Sequence, residues 1–218
     1  MEGFLVTQPY VAEIVIVENG SVDHTLQIAQ SFEGRLPGLR VFHEDLSGKG
    51  RAVQRGMLES HGEYRFFCDV DFSMPVSEIN RFIPPLLEGV DVAIASREAP
   101  GAIQYNEPVQ RHLAGRVFNT LVRLAALPGL QDTQCGFKCF RAPVAEEIFK
   151  RQTLMGWSFD VEVLFMAQRW GFRIVEVPIP WYFYSQSRVH LARDAWQMVM
   201  DIITIRRNNR HGLYDRQV

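Results

Sequence analysis

Two aspartates at the end of an apolar run are the residues in this chain best suited to chemistry. Asp69 and Asp71 lie two residues apart at the carboxyl end of the predicted strand Tyr64–Val70. Carboxylates on a strand that bends into a loop can be directed at one cation, and such hard oxygen ligands suit Mg²⁺ or Mn²⁺, which also bind substrate phosphates. The alternative is that the pair caps Ser73 and the next helix. Two uncompensated carboxylates beside a buried strand would be costly, which favours the metal.

A lysine between two glycines is the second candidate. Gly48, Lys49 and Gly50 lie at the predicted start of a helix. Glycines permit a tight backbone turn there, and the first turn of a helix presents free backbone N–H groups to an anion. The alternative is a simple turn with an exposed lysine.

An acid and several arginines complete the set of candidates. Asp160 lies at the predicted start of another helix, where it either favours the helix dipole or serves a reaction. Arg97 directly follows a predicted strand, and guanidinium groups match phosphate geometry. Arg111 and Arg116 follow a predicted loop and are candidate contacts for a second phosphate. Each arginine could instead be a solvated surface charge.

Strands and helices alternate along the chain, which indicates an α/β sheet with right-handed crossovers. The predicted strands are Glu13–Val17, Leu39–His43, Tyr64–Val70, Val90–Ser96, Phe137–Phe140 and Phe172–Ile179. The predicted helices are His24–Phe32, Gly48–Ser60, Val76–Leu87, Arg111–Leu124, Asp160–Arg169 and Leu191–Arg206, and residues 98–110 are predicted to form a loop. Ligands of such sheets bind beyond the carboxyl ends of the strands, where Glu18, Asn19, Asp69 and Arg97 fall.

Composition restricts the class of protein further. The chain has 218 residues, enough for one domain with a full core, and a formal net charge of −2, which excludes a generally basic nucleic-acid coat. No run approaches the ~18 apolar residues of a membrane span, and residues 1–10 show no signal-peptide pattern. Cys68, Cys135 and Cys139 suggest a reducing compartment, and Cys135 and Cys139 are predicted to be buried rather than zinc ligands.

Five ordered motifs resemble the family 2 glycosyltransferases of GT-A fold. They are Glu18–Asp23, Gly48–Gly50, Asp69–Pro75, Asp132–Lys138 and Gly156–Glu162. The last two resemble the dolichyl-phosphate glucosyltransferase and polyprenyl-phosphate sugar synthase branch. The resemblance covers about residues 10 to 207. It implies a GT-A nucleotide-diphospho-sugar transferase fold with a mostly parallel central sheet flanked by helices, here as a single domain over residues 1–218.

The resemblance also implies a role for each motif. Asp69 and Asp71 would hold the divalent metal against the donor diphosphate, and Asp160 would be the catalytic carboxylate. Glu18 and Asn19 stand where the family usually carries Asp-Asp and contacts the nucleoside. The further implied substrate contacts are Ser21, Lys49, Arg97, Gln134 and Arg188.

The implied activity is inverting transfer of a hexose, glucose by preference, from a nucleotide sugar such as UDP-glucose to polyprenyl or dolichyl phosphate, with Mg²⁺ or Mn²⁺. One alternative is transfer to a glycan or soluble hydroxyl, and another is an inactive, shortened relative that binds nucleotide sugars. No nucleic-acid partner is expected. A cytoplasmic protein is expected, which could lie peripherally at the inner face of the cell membrane and could form a homo-oligomer.

The carboxyl-terminal helix is predicted to be amphipathic. Its apolar face comprises Leu191, Ala195, Met198, Ile202 and Ile205, and is widened by Ala192, Trp196, Val199 and Ile203. The segment 191–207 could be an interfacial helix on a membrane, or it could pack on the sheet or on another subunit.

The beginning of the chain departs from the family pattern. Members normally start with a strand and an Asn-Glu turn, and only residues 1–12 precede the predicted strand Glu13–Val17. The chain is therefore expected to lack the usual first strand, either because the true start lies upstream or because the protein is a shortened relative. An absent internal strand leaves unpaired backbone groups, which predicts lower stability or a compensating partner.

Overall fold

The structure is a computed structural model of the whole chain, and it describes residues 2–71, 73–106, 108, 116, 119–120, 122–183 and 191–216, with the side chains of the last helix described from residue 196. The strands are β1 (Ile14–Asn19), β2 (Leu39–Glu44), β3 (Tyr64–Cys68), β4 (Val92–Ser96), β5 (Ile103–Tyr105), β6 (Phe137–Arg141), β7 (Ile174–Pro178) and β8 (Pro180–Tyr182). The α-helices are α1 (Glu2–Leu5), α2 (Thr25–Gln30), α3 (Lys49–Glu59), α4 (Ala142–Phe149), α5 (Phe159–Arg169) and α6 (Leu191–Arg210), and Val76–Phe82 is a 3₁₀ helix.

The described strands form three sheets. The central one has the order β3-β6-β4-β7, in which β3, β4 and β7 run in one direction and β6 runs against them. The parallel pair β1-β2 forms a second sheet, and the parallel pair β5-β8 forms a third. Helix α3 packs against β1, β2 and β3 and thereby links the first sheet to the central one.

Two apolar clusters lie on opposite faces of the central sheet. Side chains alternate between the faces of a strand, so in β6 Phe140 joins the cluster shared with helices α3 to α6, while Phe137 joins the cluster above the 3₁₀ helix. Cys135 and Cys139 are buried and free, as predicted. In the described part of the chain, no helix has the length and apolar character needed to cross a bilayer.

Most predicted elements are confirmed with shifted ends, two predictions are wrong, and helix α4 is an element that the sequence did not predict. The predicted helix Val76–Leu87 is a shorter 3₁₀ helix that ends at Phe82, because Ile83 precedes Pro84 and takes the extended conformation that a residue before proline prefers. Residues 98–110 include the short strand β5. Helix α4 was not predicted, although Pro143 at its first turn is compatible with a helix start.

Two further expectations concern the predicted helix 111–124 and the segment before β1. Of the predicted helix 111–124, residues 111–115, 117–118 and 121 lie outside the described residues, and residues 122–125 are helical. Before β1 the described residues form α1 and irregular backbone, with no strand among them.

Candidate functional site

Asp69 is positioned by the antiparallel pairing of β3 with β6. Its backbone N–H donates to the carbonyl oxygen of Gly136 at 2.9 Å, one step beyond the last paired residues of the two strands. The carboxylate then lies across Gly136, since a Cβ atom on that glycine would stand 2.0 Å from Asp69 Oδ2. Only a residue without a side chain leaves room for the Asp69 carboxylate at this place.

Lys49 joins the beginning of α3 to this carboxylate. Its Nζ lies 2.7 Å from Asp69 Oδ1 and 5.2 Å from the centroid of the Trp157 ring, which is 53% exposed. Burial acts to lower the pKa of Lys49, but the carboxylates of Asp69 and Asp160 outweigh it and raise the pKa. The lysine is therefore held as a cation between an acid and an aromatic face.

The two glycines around Lys49 serve close packing rather than an open anion site. A Cβ on Gly48 would lie 2.5 Å from the carbonyl oxygen of Met155, and one on Gly50 would lie 2.7 Å from that of Leu154. The N–H groups of Gly50 and Arg51 donate to the carbonyls of Gly156 and Met155 at 3.2 and 3.3 Å. The expectation that these N–H groups face an anion is therefore wrong, because the segment before α5 already accepts from them.

Asp160 forms an ion pair with a lysine of the central sheet. Lys138 Nζ lies 2.5 Å from Asp160 Oδ1 and also donates to the carbonyl oxygen of Cys135 at 2.6 Å. Both side chains are almost fully buried. Burial raises the pKa of Asp160, and Lys138 and Lys49 counter only part of that effect.

The sequence interpretation missed Lys138 as a functional residue. The available signal was its place in the otherwise apolar strand β6, because a lysine is almost never fully buried without a partner. Asp132 and Gly136, in the same motif, were missed as well. The segment Asp132–Lys138 thus supports three different candidate residues: Arg97, Asp69 and Asp160.

Arg97 is bound by Asp132. The guanidinium donates from Nε to Oδ2 at 2.7 Å and from NH2 to Oδ1 at 2.9 Å, and it lies 5.3 Å from the centroid of Trp181. The backbone N–H of Arg97 also donates to Asp132 Oδ2. Burial acts to raise the pKa of Asp132, but Arg97 outweighs it and lowers the pKa to about 2. This two-point pairing fixes the orientation of Arg97.

Gln134 follows this pair and carries an unused donor. Its backbone N–H donates to Asp132 Oδ1 at 3.2 Å. Its side-chain Nε2 is buried and has no hydrogen-bond partner in the part of the chain that the structure describes, and the same holds for Thr133 Oγ1. Buried polar atoms are nearly always paired, which makes these two atoms candidates for a contact with a ligand.

Glu18 and Asn19 are engaged within the protein. Glu18 is 5% exposed, accepts from the backbone N–H of Ser21 at 2.5 Å and lies 2.6 Å from His43 Nδ1. The hydrogen bonds from Ser21, followed by the contact with His43, lower the pKa of Glu18, and the same contact raises the pKa of His43. Asn19 donates to the carbonyl oxygen of Gly48 at 2.8 Å and so connects β1 to the loop that carries Lys49.

Asp71 points to the surface and accepts from the backbone N–H of Ser73 at 3.0 Å, as the capping alternative predicts. The described residues contain no group of three or more His, Cys, Asp and Glu side chains that could enclose a metal. Mg²⁺ is commonly held by one or two carboxylates together with substrate phosphates. The half-exposed carboxylate of Asp69 and the exposed one of Asp71 fit that incomplete kind of site.

The remaining candidate arginines are not brought into the site by the described contacts. Arg116 is exposed, and its Nε lies 3.7 Å from Glu98 Oε2. Arg111 and Arg188 lie outside the described residues. The structure therefore groups Asn19, Lys49, Asp69 and Asp160 around the loop of Lys49. The Arg97–Asp132 pair lies directly after the end of β4.

Similar solved structures define the fold. A mannosyl-3-phosphoglycerate synthase from Rubrobacter xylanophilus matches with a TM-score of 0.65 and 19% identity over 99% of this chain and 69% of that protein. A glucosyl-3-phosphoglycerate synthase from Mycobacterium tuberculosis, in complex with Mn²⁺, UDP-glucose and phosphoglyceric acid, matches with a TM-score of 0.59 and 17% identity over 89% and 69% of the two chains. The predicted GT-A fold is thereby confirmed.

The chain belongs to glycosyl transferase family 2, whose model matches residues 4–149. A dolichyl-phosphate beta-glucosyltransferase of Trichomonas vaginalis is 31% identical over 209 residues, and the enzyme of that name from Saccharomyces cerevisiae is 31% identical over 221 residues. Each alignment covers 93% of this chain but only 62% and 66% of these relatives. The predicted family is confirmed.

Proposed function

We propose that this protein transfers glucose from a nucleotide sugar, UDP-glucose by preference, to dolichyl or another polyprenyl phosphate, with inversion at the sugar carbon. The observation that carries the proposal is the grouping of Lys49, Asp69 and Asp160 at one edge of the sheet in a chain that is 31% identical to dolichyl-phosphate beta-glucosyltransferases. The leaving group would be a nucleoside diphosphate, so its negative charge must be neutralised as the glycosidic bond breaks.

The donor diphosphate would meet three residues at this edge. Asp69 and Asp71 would hold Mg²⁺ or Mn²⁺, consistent with their oxygen-only chemistry and their exposure. The bound ion would neutralise charge on the leaving diphosphate. Lys49, a cation already aimed at Asp69, would supply a second positive charge to the same oxygens.

Asp160 would orient or activate the acceptor. Lys138 holds Oδ1, which leaves Oδ2 as the atom that would meet an acceptor oxygen. A phosphate monoester has a second pKa of about 6 and is largely a dianion at neutral pH, so a lipid phosphate can attack without a strong base. The buried ion pair with Lys138 is better suited to this modest role than to full proton abstraction from a hydroxyl.

The other substrate contacts predicted from the sequence are supported unequally. Gln134 carries the unpaired Nε2 and is the best supported of them. Arg97, Glu18 and Asn19 are engaged with protein partners, so we expect them to shape the donor site through those contacts, with Ser21 exposed beside Glu18. Contact of Arg188 with a phosphate remains a prediction.

A transfer assay separates this proposal from its alternatives. Purified protein is incubated with radiolabelled UDP-glucose, Mn²⁺ and dolichyl phosphate, and the mixture is extracted with organic solvent. We expect label in the organic phase, lost on chelation and in Asp69→Asn. Label that stays in soluble glycan would favour a hydroxyl acceptor, and metal-dependent UDP binding without transfer would favour a nucleotide-sugar binding protein. Either result would contradict the proposal.

A further inference from the structure

Helix α6 carries two apolar stripes on different faces. Met198, Ile202 and Ile205 are buried in the core, as the packing alternative predicted. A second stripe faces outward, and we call it the exposed stripe: Trp196 (69% exposed), Val199 (43%), Met200 (43%) and Ile203 (54%).

The exposed stripe is continuous along the helix. Its members follow the i, i+3, i+4, i+7 spacing that places side chains on one face. Single exposed apolar residues are normal on protein surfaces, but a contiguous apolar stripe marks a surface that meets a partner or a membrane. Burial of the other stripe already anchors α6 to the protein, so the exposed stripe is not needed for folding.

The exposed charges that follow the stripe on α6 are positive. Arg207 and Arg210 are exposed in the last turn of α6, directly after the stripe. The one acid among residues 196–210 is Asp201, and it accepts from Ser158 and Gln197 rather than facing solvent alone. A second copy of this surface would therefore bring no acid to the arginines, whereas an anionic lipid headgroup complements them.

The stripe also lies on the helix that touches the candidate site. Ser158 Oγ donates to Asp201 Oδ2 and ties the middle of α6 to the beginning of α5. Ser158 is next to Trp157, the ring against Lys49, and two residues before Asp160. The helix that carries the exposed stripe is therefore tied to the segment that leads into the edge where the proposed lipid phosphate would react.

We infer that the exposed stripe, together with Arg207 and Arg210, docks on an anionic lipid bilayer and holds the candidate site at the membrane surface. The inference rests on the proposed function for its purpose, because a polyprenyl tail stays in the bilayer while its phosphate reacts. Tryptophan suits this position, since its ring is apolar and its N–H is polar.

Vesicle co-sedimentation tests the docking without donor or acceptor. The full chain is mixed with vesicles of phosphatidylcholine alone, or of phosphatidylcholine with phosphatidylglycerol, and we expect binding to the mixed vesicles. The variant Trp196→Ser/Ile203→Ser should bind them at least about tenfold more weakly. The matched control is Ile28→Ser in α2, where the isoleucine is 59% exposed, and its binding should not change.

The charge contribution is measured with a second pair of variants. Arg207→Gln/Arg210→Gln should lose the preference for phosphatidylglycerol and the sensitivity of binding to salt. Arg35→Gln, which removes an exposed arginine elsewhere, should retain both. Binding of the stripe variant that equals that of the unsubstituted protein would overturn the inference.

Two further measurements keep this inference separate from the proposed function. Light scattering tests whether the exposed stripe instead joins two copies of the protein. The docking inference would be overturned if the unsubstituted protein forms a dimer, the stripe variant does not, and neither protein binds vesicles. Transfer of glucose to a short, water-soluble isoprenyl phosphate needs no membrane, so the stripe variant should retain it. Vesicle binding without any such transfer would contradict the proposed function and leave the docking inference supported.

Discussion

The carboxylate of Asp69 lies across Gly136, with the space of a methyl group already taken by Oδ2. The Gly136→Ala variant must therefore displace this carboxylate, because a Cβ atom 2.0 Å from an oxygen is not tolerated. Changes that misplace a metal ligand typically cost about 10- to 100-fold in affinity. We expect UDP binding in the presence of Mn²⁺, measured by calorimetry, to weaken by about that factor.

The control for this prediction is Gly3→Ala, since a Cβ at Gly3 meets nothing within 4 Å. Thermal unfolding of both variants reports whether the fold is intact. Unchanged UDP affinity in a folded Gly136→Ala protein would show that Asp69 does not take part in binding.

The positions of the site residues were predictable from the sequence, whereas their partners were not. Apolar runs that end in polar residues placed Asn19 and Asp69 at the carboxyl edge of the sheet, because the period of a strand is local information. The pairings of Asp160 with Lys138 and of Arg97 with Asp132 join residues 22 and 35 positions apart. Such contacts depend on strand order and on β6 running against its neighbours, which no local pattern encodes.

Lys138 and Asp160 form a buried ion pair whose disruption should be costly. Removing one partner of such a pair leaves an uncompensated buried charge and typically costs about 3–5 kcal/mol. We expect Lys138→Met to lower the free energy of unfolding in urea by about that amount. The double variant Lys138→Met/Asp160→Leu should recover most of the loss, since it leaves no charge behind.

Arg141 provides the control on the same strand. Its pair with Asp91 is 3.2 Å long and the Arg141 side chain is 45% exposed, so Arg141→Met should cost no more than about 1 kcal/mol. Equal losses in Lys138→Met and Arg141→Met would indicate that burial of the Lys138 pair has no special energetic effect.

Asp132 should make the protein sensitive to acid. Its pKa falls from 3.8 to about 2 on folding, so the folded state favours the ionised form. This stabilisation is fully present at pH values above the pKa of Asp132 in the unfolded state, and it is lost as the pH falls through the pKa of Asp132 in the folded state. One pKa unit corresponds to about 1.4 kcal/mol, which gives about 2 kcal/mol between neutral pH and pH values below 2.

The measurement is the free energy of unfolding of the unsubstituted protein and of Asp132→Asn across this range. The difference between them should shrink as the pH falls, because protonation removes from the unsubstituted protein the charge that the variant already lacks. Curves that stay parallel down to the lowest pH would contradict the assignment of this shift to Asp132.

The chemistry of the acceptor decides how strongly Asp160→Asn impairs transfer. A sugar hydroxyl must lose its proton during attack, and general-base help is typically worth about 100- to 10,000-fold in rate. A lipid phosphate is largely a dianion at neutral pH and needs less help. Turnover of Asp160→Asn relative to the unsubstituted protein should therefore fall much further with a hydroxyl acceptor than with an isoprenyl phosphate.

The pH profile separates this role from a structural one. If Asp160 mainly orients the acceptor, the rate with isoprenyl phosphate should follow the second ionisation of the phosphate, near pH 6, in both proteins. The asparagine keeps the shape of the side chain and removes its charge, which leaves Lys138 unpaired, so thermal unfolding must be measured in parallel. Equal losses of turnover with the two acceptors, in a folded variant, would count against an acceptor-dependent role for Asp160.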